Sequence, residues 1–376
     1  CNAIVIVGCL GTWHGFAQAA EEKPEVARAE WPLFRGDALA SGVAASDLPD
    51  NLSVLWKYTV PDGAFESSAI IANGAVYVGD FDGLFFAIDL ANGKEKWRFK
   101  SEIGFTAAAA YRDGRVYVGD VDGVFYCLDA ATGALQWKYE TGAEIDGGAN
   151  FHGSHVLIGS QDATLYCLDA ATGKEIWQHT IGDQIRCSPT IVAERCFLAG
   201  CDSKLHMVNV NDGKEIAAVD IDAPTGTTPA VLGDLALFGT EGGTFLAIDW
   251  KEAKLRWKYE SSRSQLPFRS SAAVNASAVV FGGRDKQVHA LDPQSGEKKW
   301  TFPTRQRVDS SPVIVGSRVF VASADGKLTA LELASGKKQW EYDAGSGFVA
   351  SPAVAAGRLV IGSEDGVLYC FGAMKK

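Results

Sequence analysis

From Ser53 onward, short apolar runs alternate with turn residues on a fixed beat. Runs such as AVYVGD (75–80) and LFFAID (84–89) are bounded by Gly, Asn or Asp. Period-two runs of this length between turn residues predict β-strands. Four such strands recur in every unit of about 40 residues. The unit begins with small residues and ends on a strand carrying tryptophan. Trp56, Trp97, Trp137, Trp177, Trp257, Trp300 and Trp340 stand at intervals of 41, 40, 40, 80, 43 and 40 residues. The long interval hides a silent beat, Ala217 in NDGKEIAAVD (211–220). Eight copies of one supersecondary unit override the two or three domains that length alone suggests. They predict an all-β, eight-bladed β-propeller of four-stranded blades.

The ends of the count decide how the ring closes. Runs of the AVYVGD type end at Gly79, Gly119, Gly159, Ala199, Gly239, Gly282, Ala322 and Gly362, and the last is followed only by VLYCFG. Conversely, LSVLWKYTV (52–60) is a tryptophan strand with no blade before it. The N-terminal strand is therefore expected to complete the last blade and remove its open edge. This divides the chain into a leader (1–20), an irregular segment (21–52), the propeller (53–372) and a short tail (373–376). Asn73-Gly74, Asp82-Gly83, Asp122-Gly123, Asp325-Gly326 and Asp365-Gly366 are expected as hairpin turns with both central residues at positive φ. Gly93, Gly133, Gly173, Gly213, Gly296 and Gly336 hold another fixed offset, four before the tryptophan slot, where Ala253 is the exception.

Charge and composition narrow the partners. The net charge of −11 disfavours a nucleic-acid surface, and all of it lies beyond residue 20. The apolar run Ala3–Leu10 followed by Ala17-Gln18-Ala19 reads as a secretory leader, with its basic region expected upstream of Cys1. The second reading is a lipobox at Ile6-Val7-Gly8-Cys9, which would anchor the chain through Cys9. Export to the periplasm or the extracellular side is the expectation. No other stretch approaches a membrane span.

The segments DLANGKEKW (89–97), DAATGALQW (129–137), DAATGKEIW (169–177), DPQSGEKKW (292–300) and ELASGKKQW (332–340) resemble the tryptophan-docking repeat of quinoprotein-type (PQQ-like) propellers. The resemblance implies that each tryptophan packs against the neighbouring blade. It also implies one of two roles: a dehydrogenase holding pyrroloquinoline quinone (PQQ) on the propeller axis, or a non-catalytic scaffold such as BamB of the outer-membrane β-barrel assembly machinery. The adjacent cysteine pair of the quinone enzymes, a C-x-x-C-H haem motif and a calcium-loop spacing are all absent from the sequence. A BamB-like protein-binding module without catalytic residues, cofactor or metal is thus expected. It would be monomeric, bind no nucleic acid and have the envelope assembly machinery among its partners. A quinone-dependent oxidoreductase and a saccharide- or peptide-binding propeller are the alternatives.

The docking role also follows from area. A buried indole removes about 150–250 Å² from water, roughly 4–6 kcal/mol gross. Ala217 then marks a weaker seam unless Trp250 fills it. Cys127, Cys167 and Cys370 share a small inward slot, and Cys187, Cys196 and Cys201 do not face one another, so free thiols are expected. His206 and His289 share the slot of Phe86, Tyr126, Tyr166 and Tyr369 and read as packing residues. His152 and His155 face each other across a turn, too few for a metal.

Two groups carry the candidate chemistry. Just before each blade's first strand stand Glu66, Thr106, Asp146, Arg186, Gly226, Arg269, Asp309 and Val349, each followed by two small residues. Small residues suit eight strands crowded around an axis, so the variable slot is expected to ring one mouth of the channel. Its charged members are Glu66, Asp146, Arg186, Arg269 and Asp309. Asp146 with Arg186 and Arg269 with Asp309 would neutralise each other, and a self-neutralising ring is favoured over a ligand site. The second group is the loop SSRSQLPFR (261–269), longer than its counterparts by three residues. It is expected to expose Arg263, Leu266 and Phe268 to a protein partner.

Overall fold

A computed structural model describes residues 30–262 and 265–374. The leader, Cys9 and Arg263 lie outside these residues. The described chain folds into eight antiparallel sheets of four strands each. No helix among these residues is long and apolar enough to cross a membrane. Blade 1 runs through Ile70–Ala72, Ala75–Gly79, Leu84–Asp89 and Glu95–Lys100, from the axis outward. The second and third strands are almost wholly buried, because a blade's inner part is sandwiched between two neighbours. The outermost strand alternates, with Trp97 buried and Lys96 and Arg98 exposed.

Ser53–Thr59 pairs antiparallel with Val367–Gly372 and becomes the fourth strand of blade 8, placing Trp56 opposite Cys370. Each tryptophan docks on the next blade. Trp56, Trp97, Trp177 and Trp300 donate Nε1–H to the carbonyls of Leu90, Ala130, Val210 and Leu333 at 2.9–3.1 Å. These four are buried, whereas Trp137, Trp257 and Trp340 are partly exposed. The glycine offset now has its cause. Gly173 has φ +71°, and a Cβ there would meet the Trp137 ring at 2.6 Å. A side chain is excluded by backbone conformation and by the docking indole together.

The irregular seam, between blades 4 and 5, is consistent on both sides. Ala217 presents no indole, so Ala253 fits at φ +52° where the other blades need glycine. Trp250 fills the space from the blade 5 side. It packs with Phe197, Val219 and Ala217 and donates Nε1–H to the Gly233 carbonyl at 3.1 Å. Trp250→Ala should cost about 3–5 kcal/mol in denaturant unfolding, as for a docking tryptophan. A loss under about 1 kcal/mol would show that the indole does not hold this seam.

One expectation is corrected. Of the five turns named above, only Asn73-Gly74 has both residues at positive φ, although Asp113-Gly114 also adopts that geometry; in the four Asp-Gly turns among the five the aspartate does not. There a carboxylate shapes the turn instead, as Asp80 Oδ1 accepts from the amides of Asp82 and Leu84. Residues 31–46, in the irregular segment without a strand pattern, are held against the propeller. The Trp31 and Ile71 backbones exchange hydrogen bonds. The carbonyls of Pro32, Ala38, Leu39, Ser41 and Gly42 accept from Tyr111, Ile191, Val231, Val274 and Ile314, and Ser46 Oγ accepts from Gly357. With Asn150 Nδ2 donating to Ala38, the segment touches all eight blades. The cysteines among the described residues are free.

Candidate functional site

Each blade's entry segment is pinned from two sides. The amides of Phe105, Ile145, Ile185, Phe268 and Val308 donate to carbonyls of the preceding blade, those of Asp80, Asp120, Ser160, Thr240 and Gly283. One residue earlier than Phe105 and Ile145, the carbonyls of Gly104 and Glu144 accept from Val121 and Gln161 in the blade's own turn. The residue that follows is the variable slot, whose side chain is therefore held by two blades at once. All eight slot residues line one axial cavity of about 590 Å³. Beneath it the small residues narrow the channel to a cavity of about 180 Å³ that ends on Phe34. Glu66 lines the mouth, Ser68 the channel, and Ile71 meets Trp31 at the far end. Residues 31–46 thus close one face and leave the other open.

The small residues also do more than save space. Ser68, Ser351, Ser311, Ser271, Thr228 and Ser188 each accept, through the hydroxyl, an amide hydrogen bond from the preceding blade at 2.8–3.0 Å. The chain of hydroxyls fixes the channel wall and the positions above it.

The charges at the mouth do not pair around the ring as expected. Arg269 makes a bidentate bond with Glu241, not Asp309. Asp309 is taken by Arg284 and Arg307. Asp146 accepts from the Gln161 amide at 2.8 Å, whose other contact is Glu144. Arg186 bonds Gln184 and Gln161 and makes no ion pair among the described residues. The physical reason is proximity. The entry segment of each blade is bonded to the turn of the preceding blade, Phe268 N–H to Thr240 and Val308 N–H to Gly283. This sets Glu241 beside Arg269 and Arg284 beside Asp309, while Gln161 meets Asp146 from the same turn slot of its own blade. That slot, repeated at Phe81, Val121, Gln161, Cys201, Glu241, Arg284, Ala324 and Glu364, was a second legible series.

Two carboxyl sites at the mouth are held away from their ordinary range. Burial and the proximity of Asp146 push Glu144 up to about 7, and burial with Glu364 pushes Glu66 upward. Because the folded value of Glu144 lies above its ordinary 4.5, its stabilising contribution is full below pH 4.5 and is lost as pH rises through about 7. Glu144→Gln should therefore flatten the fall in stability between those pH values. An unchanged pH profile would show that Glu144 titrates normally.

The long loop also needs correction. Phe268 is 1% exposed. It stacks edge-on against Phe281 and His289, beside Gly239, where a Cβ would lie 2.6 Å from the Phe268 Cβ. It shares the slot of Phe65, Phe105 and Phe348, and its three-residue insertion obscures that alignment. Leu266 is exposed, as are Phe81 and Ile103 on turns of the same open face.

An eight-bladed propeller with tryptophan-docked seams and one open, charged mouth is the class that fold and site define. The chain belongs to the PQQ-repeat family described as outer membrane protein assembly factor BamB, which matches residues 41–145, 122–216 and 192–371. Among curated proteins none matches the sequence. Solved structures share the fold. BamB from Moraxella catarrhalis is 20% identical, with a TM-score of 0.72 over 87% of this chain and 99% of that one. Quinohemoprotein alcohol dehydrogenase from Comamonas testosteroni is 16% identical, with a TM-score of 0.80 over 94% of this chain and 82% of that one. A europium-containing methanol dehydrogenase is 12% identical, with a TM-score of 0.74 over 92% and 98%. Scaffold and oxidoreductase thus share this architecture, and likeness of fold does not separate them.

Proposed function

We propose that this chain is a non-catalytic scaffold of the cell envelope that binds a protein partner across its open face. The observation that carries the reading is the combination on that face. Exposed Phe81, Ile103 and Leu266 lie on the face of a charged mouth in which Arg186 makes no ion pair among the described residues. Isolated apolar anchors with an available arginine have the composition of a protein interface. The family's description as an assembly factor and the leader-like residues 1–20 support an exported location.

The mouth does not fit pyrroloquinoline quinone. A planar tricyclic tricarboxylate needs flat partners above and below and several free cations. Among the described residues no aromatic side chain lines the mouth cavity, and Phe34 lies only in the narrower channel below. Arg269, Arg284 and Arg307 are engaged by Glu241 and Asp309. No step is therefore derived through the quinone. Incubation with PQQ and calcium should give no stoichiometric uptake and no dye reduction with alcohols. Quinone-dependent dye reduction would overturn the scaffold reading.

A further inference from the structure

Between blades 3 and 4, His179 on Glu175–Thr180, His206 on Lys204–Asn209 and Glu215 on Glu215–Asp220 converge. One ligand-capable atom from each lies within 4.8 Å of the other two, the one such group among the described residues. Repetition supplies internal controls. The equivalent positions between blades 8 and 1 are Tyr58, Phe86 and Glu95, and between blades 2 and 3 the pattern recurs at Tyr139, Tyr166 and Glu175. In both, the tyrosine hydroxyl donates directly to the glutamate. At His179 the shorter imidazole replaces the phenol, and its Nε2 is buried without a hydrogen-bond partner.

The second imidazole is over-supplied with acceptors. His206 Nδ1 lies 2.8 Å from Glu215 Oε2, and Nε2 lies 2.9 Å from Asp202 Oδ2. A neutral ring carries one N–H, so one nitrogen would face a carboxylate lone pair to lone pair. A second proton or a metal ion removes that opposition. With Nε2–H donated to Asp202, Nδ1 is left as a ligand facing Glu215, the carboxylate–histidine–metal arrangement that orients a ligand imidazole.

We propose that His179, His206 and Glu215 bind a divalent transition metal of the zinc class, with Asp202 orienting His206. Two imidazole nitrogens and one carboxylate suit zinc rather than calcium or magnesium. Zinc–ligand bonds of about 2.0–2.2 Å require the three atoms to draw somewhat closer. Glu215, whose side chain is 42% exposed, has the freedom to move and opens the site to solvent and a water ligand. The site also has a structural consequence. Glu215 lies on the strand that carries Ala217 in place of a docking tryptophan, so the metal ties to blade 3 the outer strand with the weakest hold on blade 5.

The test uses the full chain, stripped with chelator and titrated with zinc against a chromophoric chelator, then with cobalt(II) for its visible spectrum. His179→Tyr is the decisive variant, because it rebuilds the tyrosine–glutamate pair of the neighbouring seams and should fold; Glu215→Gln is the second. Wild type should bind about one equivalent, with affinity at least tenfold above either variant, and zinc should raise its melting temperature but not that of His179→Tyr. Zinc binding no tighter than in His179→Tyr overturns the proposal. So does an intense thiolate-to-cobalt charge-transfer band, which would place the metal on a cysteine such as Cys201.

Discussion

Trp56→Ala is expected to lower the melting temperature more than Trp177→Ala, although the two indoles are nearly equivalent. They are 8% and 9% exposed, and each donates one hydrogen bond to the next blade. Both changes remove the same ring, about 3–5 kcal/mol in a packed site. The difference lies in connectivity. The strand around Trp177 is continuous with its own blade. Ser53–Thr59 is held to blade 8 only by pairing with Val367–Gly372, a contact that closes almost the whole ring. Without the indole that anchors it on Gly93 and Leu90, the closing strand can detach while the blades stay intact. Hydrogen exchange should then show Ser53–Thr59 opening ahead of the other fourth strands. Equal melting shifts, with no selective exchange at this strand, would contradict closure by Trp56.

The second large effect is expected at Arg35, which is 1% exposed. Its guanidinium donates to the carbonyls of Ala272, Ser311 and Pro312, tying residues 31–46 to blades 6 and 7. Burial pulls the group down to about 9, so it remains a cation at neutral pH. Arg35→Ala strands three buried carbonyls and leaves a cavity. At about 1–3 kcal/mol for each buried group left unsatisfied, a total loss of about 3–5 kcal/mol is expected after relaxation. Arg35→Lys keeps charge and donors but not the planar fork, and should fall between. Denaturant unfolding measures both. An Arg35→Ala loss under about 1 kcal/mol would show that the closed face is not held by this residue.

The propeller was legible because docking imposes a joint requirement, an indole on one blade and a glycine on the next, and both recur on the same beat. Even the exception was legible in part, since Ala217 and Ala253 depart from the pattern together. The ring of variable residues could be placed at a mouth because alignment of eight copies substitutes for structure. Its ion pairs could not, since Glu241 and Arg284 reach it from a turn of the preceding blade. The closing of the far face by residues 31–46 was hidden for a different reason. Those residues satisfy their backbone groups on seven separate blades and reach the eighth through Ser46 Oγ, so no local periodicity records the contact. His206 read as a packing residue and His179 carried no signal for the same reason, each being unremarkable within its own blade.

Co-purification from the native envelope tests the role of the open face most directly. Wild type is compared with the double variant Arg186→Glu, Phe81→Ala, which breaks no ion pair among the described residues, and with Leu135→Ser on the exposed outer edge of blade 2. A partner held by wild type and by Leu135→Ser, but lost from the double variant at an unchanged melting temperature, is the predicted result. A partner retained by the double variant, or lost instead on changing Leu135, would contradict binding at the mouth.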